Sequence, residues 1–235
     1  MSACLQYQHI LEHYNCKGQG IHVPNSTNGG IRVYVPIKEN GVGTMHNGGT
    51  QHNGGDSFNN HNGVMLPPLE EFHNVKLYVK NGHNGASQDG LLLLPMGLSL
   101  LERFEKELGV DFSRVKFEEL PELLQLVLTK KLEIVDGMKV GLGNPSLNVT
   151  LHNNIFFDFC ESIRGQCPTI CEKVGCPVCS AIAVVICKNT HKCVIIKHVA
   201  VDKKRKIQEI KFELLDSPEK MVNHNNHNHH NNGRV

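Results

Sequence analysis

"GCPVCSAIAVVICKNTHKCVIIKHVAV", residues 175–201, is the stretch from which the architecture follows. From Ala181 to Cys187 it is apolar on every side, and a helix of that kind must be enclosed by other elements. Beyond it, "KCVIIKHVAV" and "KIQEIKFELL" read as two strands joined across Lys203-Lys204-Arg205-Lys206, a solvated basic turn. A buried helix feeding a strand pair predicts an α+β fold. Its parts are antiparallel strands, packed helices and a Cys-rich loop that enters the buried C-terminal helix.

Working back toward the N-terminus, "NIFFDFCESIRG" (154–165) reads as the helix that delivers the chain to the cysteines. Residues 131–151 alternate: Leu132 and Ile134, then Met138, Val140 and Leu142, then Leu147, Val149 and Leu151. With Asp136-Gly137 and Asn144-Pro145 as turns, this predicts a three-stranded antiparallel meander. Leu100, Leu101, Phe104 and Leu108 recur at helical steps, with Ser99 as the expected N-cap and Gly109 as the stop. "FEELPELLQLVLTKK" (117–131) predicts a second helix with Pro121 in its first turn, where a missing N–H costs nothing. Earlier, 30–37 and 74–80 read as strands, and "LLLLP" (91–95) as a third strand or the entry to a helix.

Three tracts stand apart in composition: 45–63, 81–90 and 223–233, all rich in Asn, His and Gly. They offer too little apolar surface to offset the entropy of ordering, so they read as loops or disorder. The expected organisation is a strand-containing region with such insertions over 1–90, an α+β domain over 91–216 and a disordered His/Asn-rich tail over 217–235. Neutral imidazoles at His224, His227, His229 and His230 make the tail a candidate metal binder; compositional drift in a surface tail explains it equally well.

The formal charge of +1 argues against nucleic acid as a partner, which calls for a basic excess or stripe. No apolar run approaches the roughly 18 residues that suggest a membrane span. The first twenty residues lack the charged start and apolar stretch of a secretory signal, so the expected address is cytoplasmic. There disulfides are not the expected fate of the nine cysteines, and the sequons at Asn25 and Asn148 are chance matches.

Seven of the nine cysteines fall between residues 160 and 193. Pro168, Gly175 and Pro177 bend the chain among them, which lets sulfurs a few residues apart converge. The first expectation is a cysteine-ligated metal centre holding zinc or an iron–sulfur cluster, with Cys167, Cys171, Cys176 and Cys179 as ligands and Cys160 as the substitute. Four sulfurs at about 2.3 Å satisfy tetrahedral zinc. Cys171-x4-Cys176-x2-Cys179 also matches the first three ligands of a plant-type [2Fe–2S] pattern. Such a centre is structural, transfers electrons or senses metal or redox state. Cys160, Cys187 and Cys193 also read as packing residues, free cysteine being commonly buried.

The second expectation is thiol–disulfide exchange. Cys176-Pro177-Val178-Cys179 at a helix start, followed by a strand, resembles the glutaredoxin and thioredoxin active site over about 25 residues. That resemblance implies Cys176 as the attacking thiol and Cys179 as the resolving one, with a redox protein as partner. "CPTICEKV" stands where that fold has its central apolar strand, and the cis-proline segment has no counterpart downstream. Residues 91–215 also resemble uncharacterised archaeal proteins with a "GCPxCSAIA" helix start, here Gly175, Cys176, Pro177, Cys179, Ser180, Ala181, Ile182 and Ala183. That group implies no activity. The helix-strand-strand ending is similar to small-molecule-binding domains of the vinyl-reductase type, which leaves a metal-free binding or interaction module as the third reading.

No nucleophile elbow, phosphate loop or zinc-protease helix occurs in the sequence. His191 and His198 flank Cys193 and are candidates for a fourth ligand or a base; surface solvation of His191 and strand packing of His198 are the simpler readings.

Overall fold

Eight strands form one antiparallel sheet in the order β3-β4-β2-β1-β7-β8-β6-β5. The computed structural model describes residues 2–16, 18–24, 30–37, 75–78, 90–143 and 145–215. The His/Asn/Gly tracts and the tail histidines lie outside them, apart from Gly90 at the edge of one tract. In chain order the elements are α1 (Ser2–His13), β1 (Ile21–Pro24), β2 (Ile31–Pro36), β3 (Val75–Tyr78), β4 (Gly90–Leu93), α2 (Leu98–Leu108) and α3 (Leu120–Leu126). There follow β5 (Gly137–Leu142), β6 (Ser146–His152), α4 (Phe157–Gln166), α5 (Pro168–Lys173), α6 (Pro177–Thr190), β7 (Cys193–Asp202) and β8 (Ile207–Leu215). The fold is α+β.

The sheet has two halves, β1–β4 and β5–β8, joined where Ile21 pairs with Ile195 and His22 with Val194. Residues opposite each other in a sheet point to the same side. His22 faces both Val33 and Val194, so one apolar face runs from Val33, Leu91 and Leu93 through His22 and Val194 to Ile196, Phe212 and Leu147. The opposite face carries Lys197, Lys211 and Glu213, with Cys193 and Ile195 buried at its near end.

α6 lies on the buried face. Every residue from Val178 to Cys187 is buried, as expected for a helix without a polar stripe. Each enclosed Val or Ile there contributes about 1.5–3 kcal/mol relative to exposure. α2 packs across α6. Gly97, at the start of α2, makes that approach possible: a Cβ there would lie 2.0 Å from the Ala181 nitrogen. α1, α4 and α5 enclose a second apolar cluster over β2 and β4, built from Cys4, Ile10, Leu11, Val33, Leu91, Ile163, Cys167 and Ile170.

Several expectations change. The meander has two strands, β5 and β6, not three. Residues 127–131 are π-helical, and the N–H groups of Ile134 and Val135 both reach the Leu128 carbonyl, at 2.8 and 3.2 Å. The backbone that would have built the first strand is thereby used to end a helix. The turn expected at Asn144-Pro145 joins β5 to β6 and is closed where the Gly143 N–H bonds the Ser146 carbonyl at 2.8 Å, whereas Asp136-Gly137 joins no pair of strands. The cysteine-rich loop contains a short helix, α5, opened by Pro168. Gly97 and not Ser99 precedes α2, while Gly109 ends it in the left-handed region at φ 66°. "LLLLP" is strand β4, and α1 and β1 are elements that the sequence reading did not contain.

Candidate functional site

Gly175 and Cys176 set the start of α6. Gly175 turns the chain at φ +83°, a left-handed conformation that side chains rarely adopt. Cys176 is the extended N-cap residue and Pro177 the first helical one. This places the Cys176 sulfur beside the free backbone N–H groups of Val178 and Cys179. No capping bond of ordinary geometry forms, so the interaction is that of N–H dipoles aimed at a polarisable sulfur.

Two further sulfurs join it. The thiols of Cys160, from α4, and Cys179, one turn into α6, lie close enough to Cys176 to act on it as S–H dipoles. These dipoles, with the backbone N–H groups, hold the Cys176 thiol well below its ordinary pKa despite burial. The same proximity pushes Cys160 and Cys179 up, with burial adding to the effect. Cys176 is thereby the most acidic thiol of the trio. Cys171, half-buried on α5, is near enough for its charge to act on Cys160 and Cys179, and the Arg164 guanidinium also acts on Cys160. All three sulfur-bearing residues of the trio are enclosed, Cys160 at 4%, Cys176 at 2% and Cys179 at 3% exposure.

The geometry of α4 follows from a buried amide pair. Asn154 donates to Gln208 of β8 at 2.9 Å, and its own side-chain oxygen accepts the Phe156 N–H at 2.9 Å. This pins the start of α4 to the sheet and aims Cys160 inward.

Of the expected ligands, Cys176 and Cys179 come together with Cys171 beside them. Cys167 does not join them. It is fully buried in the second apolar cluster, where its proximity adds to the effect of burial in raising the Cys4 thiol. Cys160, named as the substitute, occupies the place expected of Cys167. Among the described residues, no group of three or more His, Cys, Asp or Glu is arranged to hold a metal ion as it stands.

Cys187 and Cys193 lie apart from the trio, and burial raises both thiols, Cys193 to about 11. His191 is exposed and closes α6 in the left-handed region at φ 54°, its N–H bonding the Cys187 carbonyl at 3.0 Å. His198 is exposed on β7 and is not a packing residue of the strand. His22 went unremarked in the sequence reading. It is fully buried, its Nε2 lies 3.3 Å from Ser180 Oγ, and burial lowers its pKa to about 4.

A cavity of about 510 Å³ opens beside the trio, with Cys171 on its wall. No helix among the described residues is long and apolar enough to cross a membrane. Against protein-family models, curated proteins and solved structures, the chain has no match.

Proposed function

We propose that the chain carries a cysteine-ligated metal centre, zinc or iron–sulfur, at the start of α6. Its ligands are Cys160, Cys176 and Cys179, with Cys171 as the fourth. The observation that supports this reading is the convergence of sulfurs from α4 and from both turns of the C-P-V-C motif on the single site at Cys176. Packing alone gives no reason for three sulfurs to share one polar contact. A metal replaces the shared S–H protons, and metal binding then releases protons as the thiols ionise. Cys171, half-buried on α5 and near enough for its charge to act on Cys160 and Cys179, would supply the fourth sulfur. The centre staples α4 and α5 to α6, or serves electron transfer or sensing.

Thiol–disulfide exchange through Cys176 and Cys179 is the second reading, and the lowered Cys176 pKa favours it. Burial of both sulfurs weighs against it, because an incoming disulfide needs a line of attack on the nucleophile.

Analysis of anaerobically purified protein for zinc, iron and sulfide, with its visible spectrum, tests the proposal. The expected result is about one zinc per chain, or iron with matching sulfide. Metal-free protein with two readily titrated thiols of low pKa overturns it in favour of exchange.

A further inference from the structure

The geometry points to the cavity beside Cys171 as a binding site for a small organic anion, one carboxylate or phosphate head on a short apolar body. This inference stands whether or not the cysteines hold a metal. Three features of the cavity support it.

The first is its place in the sheet. β1 pairs with β7 at Ile195 and Val194, and beyond Ile196 the edge of β7 has no strand neighbour on that side among the described residues. A notch results. Gly18 and Gln19, which lead into β1, form its second wall, and Gln19 donates its side-chain amide to the Ile196 carbonyl. The C-terminal end of α4 and α5 form the third, through Arg164, Pro168, Cys171 and Lys173. Ile196, Lys197, His198 and Val199 all line the cavity. Four consecutive strand residues can do so because the wall is the strand's edge and not one of its faces. The strand is also bulged there, between Ile196 and His198, and bulges re-aim side chains beside functional sites.

The second feature is charge. The lining includes Arg164, Lys173 and Lys197 with His198, and no Asp or Glu. Glu161 pairs with Arg164 at 3.2 Å and Glu213 with Lys197 at 2.9 Å, so two cations are oriented by carboxylates outside the lining. Lys173 differs: its ammonium donates to the neutral Gly18 carbonyl at 2.8 Å and pairs with no carboxylate among the described residues. A ligand with one negative charge balances Lys173, and the Arg164 fork suits a planar carboxylate or a phosphate.

The third is size and texture. About 510 Å³ lies within the range of small-molecule sites. Pro168, Ile196 and Val199 supply apolar wall for a short hydrocarbon body, and the charged groups supply the head-group contacts.

Hexanoate, its neutral isostere hexanamide and inorganic phosphate, titrated into the full-length protein and followed by amide NMR shifts, test the inference. Hexanoate is expected to bind saturably, with shifts centred on Gln19, Lys173 and His198, at least tenfold more tightly than hexanamide. Lys173→Gln is expected to weaken it fivefold or more, and Lys197→Gln, a change on the strand surface that leaves the Gly18 contact intact, twofold or more. Phosphate competing with hexanoate supports the head-group assignment. Equal binding of hexanoate and hexanamide, shifts away from these residues, or unchanged affinity in both variants overturns it.

Discussion

The two ends of α6 hold a cysteine each, and the two behave oppositely. Cys176 and Cys187 are both buried. At the N-terminal end, N–H dipoles and two S–H donors outweigh burial and hold Cys176 well below its ordinary pKa. At the C-terminal end, burial acts without such help and, with the nearby Cys193, raises Cys187, whose thiol meets the His22 carbonyl at 3.7 Å. Burial therefore does not set the chemistry of a cysteine. The sign of the surrounding dipoles and the number of donors do.

The largest effect expected from this contrast concerns metal retention. Cys176→Ser should lower zinc affinity roughly 1,000-fold, about 4 kcal/mol, whereas Cys187→Ala should change it less than about threefold. Competition with a chromophoric chelator reads both, and equal losses would erase the distinction between the ends. Next in size is the backbone contact that locks the N-terminal end. Gly97→Ala puts a methyl 2.0 Å from the Ala181 nitrogen, and no rotamer relieves a clash with backbone. A loss of about 3 kcal/mol in urea unfolding is expected; a loss under about 1 kcal/mol would mean that α2 can slide along α6.

The smallest expected effect is pH-dependent and belongs to His22, whose ring meets Ser180 near one end and whose carbonyl meets Cys187 near the other. Burial lowers its pKa from 6.5 to about 4. The unfolded chain therefore takes up a proton at His22 that the folded chain refuses, and stability falls as pH drops from 6.5 toward 4. Between pH 7 and pH 5 this group contributes a loss of about 2 kcal/mol. His22→Gln should remove that share of the slope. An unchanged slope would mean that the ring is protonated inside the fold.

Much of this architecture was legible because it rests on local pattern. The unbroken apolar run of α6, the β-branched run of β7, the alternation in β8, and the three- and four-residue steps of α2 each mark one element on their own. The misreadings have a shared cause. Leu132 and Ile134 alternate as a strand would, but the Leu128 carbonyl two turns back captures the backbone and closes a π-helical end. In α1 the inward residues Cys4, Tyr7, Ile10 and Leu11 keep helical spacing, yet half of that face is cysteine and tyrosine, which weakens the apolar signal. The thiol centre was half legible. Spacing singled out Cys176 and Cys179, and the prolines and glycine that bend the chain there. That Cys160 and not Cys167 meets Cys176 depends on how α4 is seated, which Asn154 and Gln208 decide from distant positions. The notch beside Cys171 left no mark in the sequence, since its walls come from three separate segments.

The short junction between β1 and β7 also has a bearing on how the molecule assembles. β1 with β2, β5 with β6 and β7 with β8 pair as sequence neighbours, and the pairings of β2 with β4 and of β6 with β8 close loops of intermediate length. The Ile21–Ile195 and His22–Val194 pairs instead unite residues from nearly opposite ends of the described chain. Closing so long a loop is entropically the costliest step and the slowest. The two halves should therefore form first and dock last, with α6, which touches β1, β2 and β7, acting as the template on which the final two rungs of the ladder are laid.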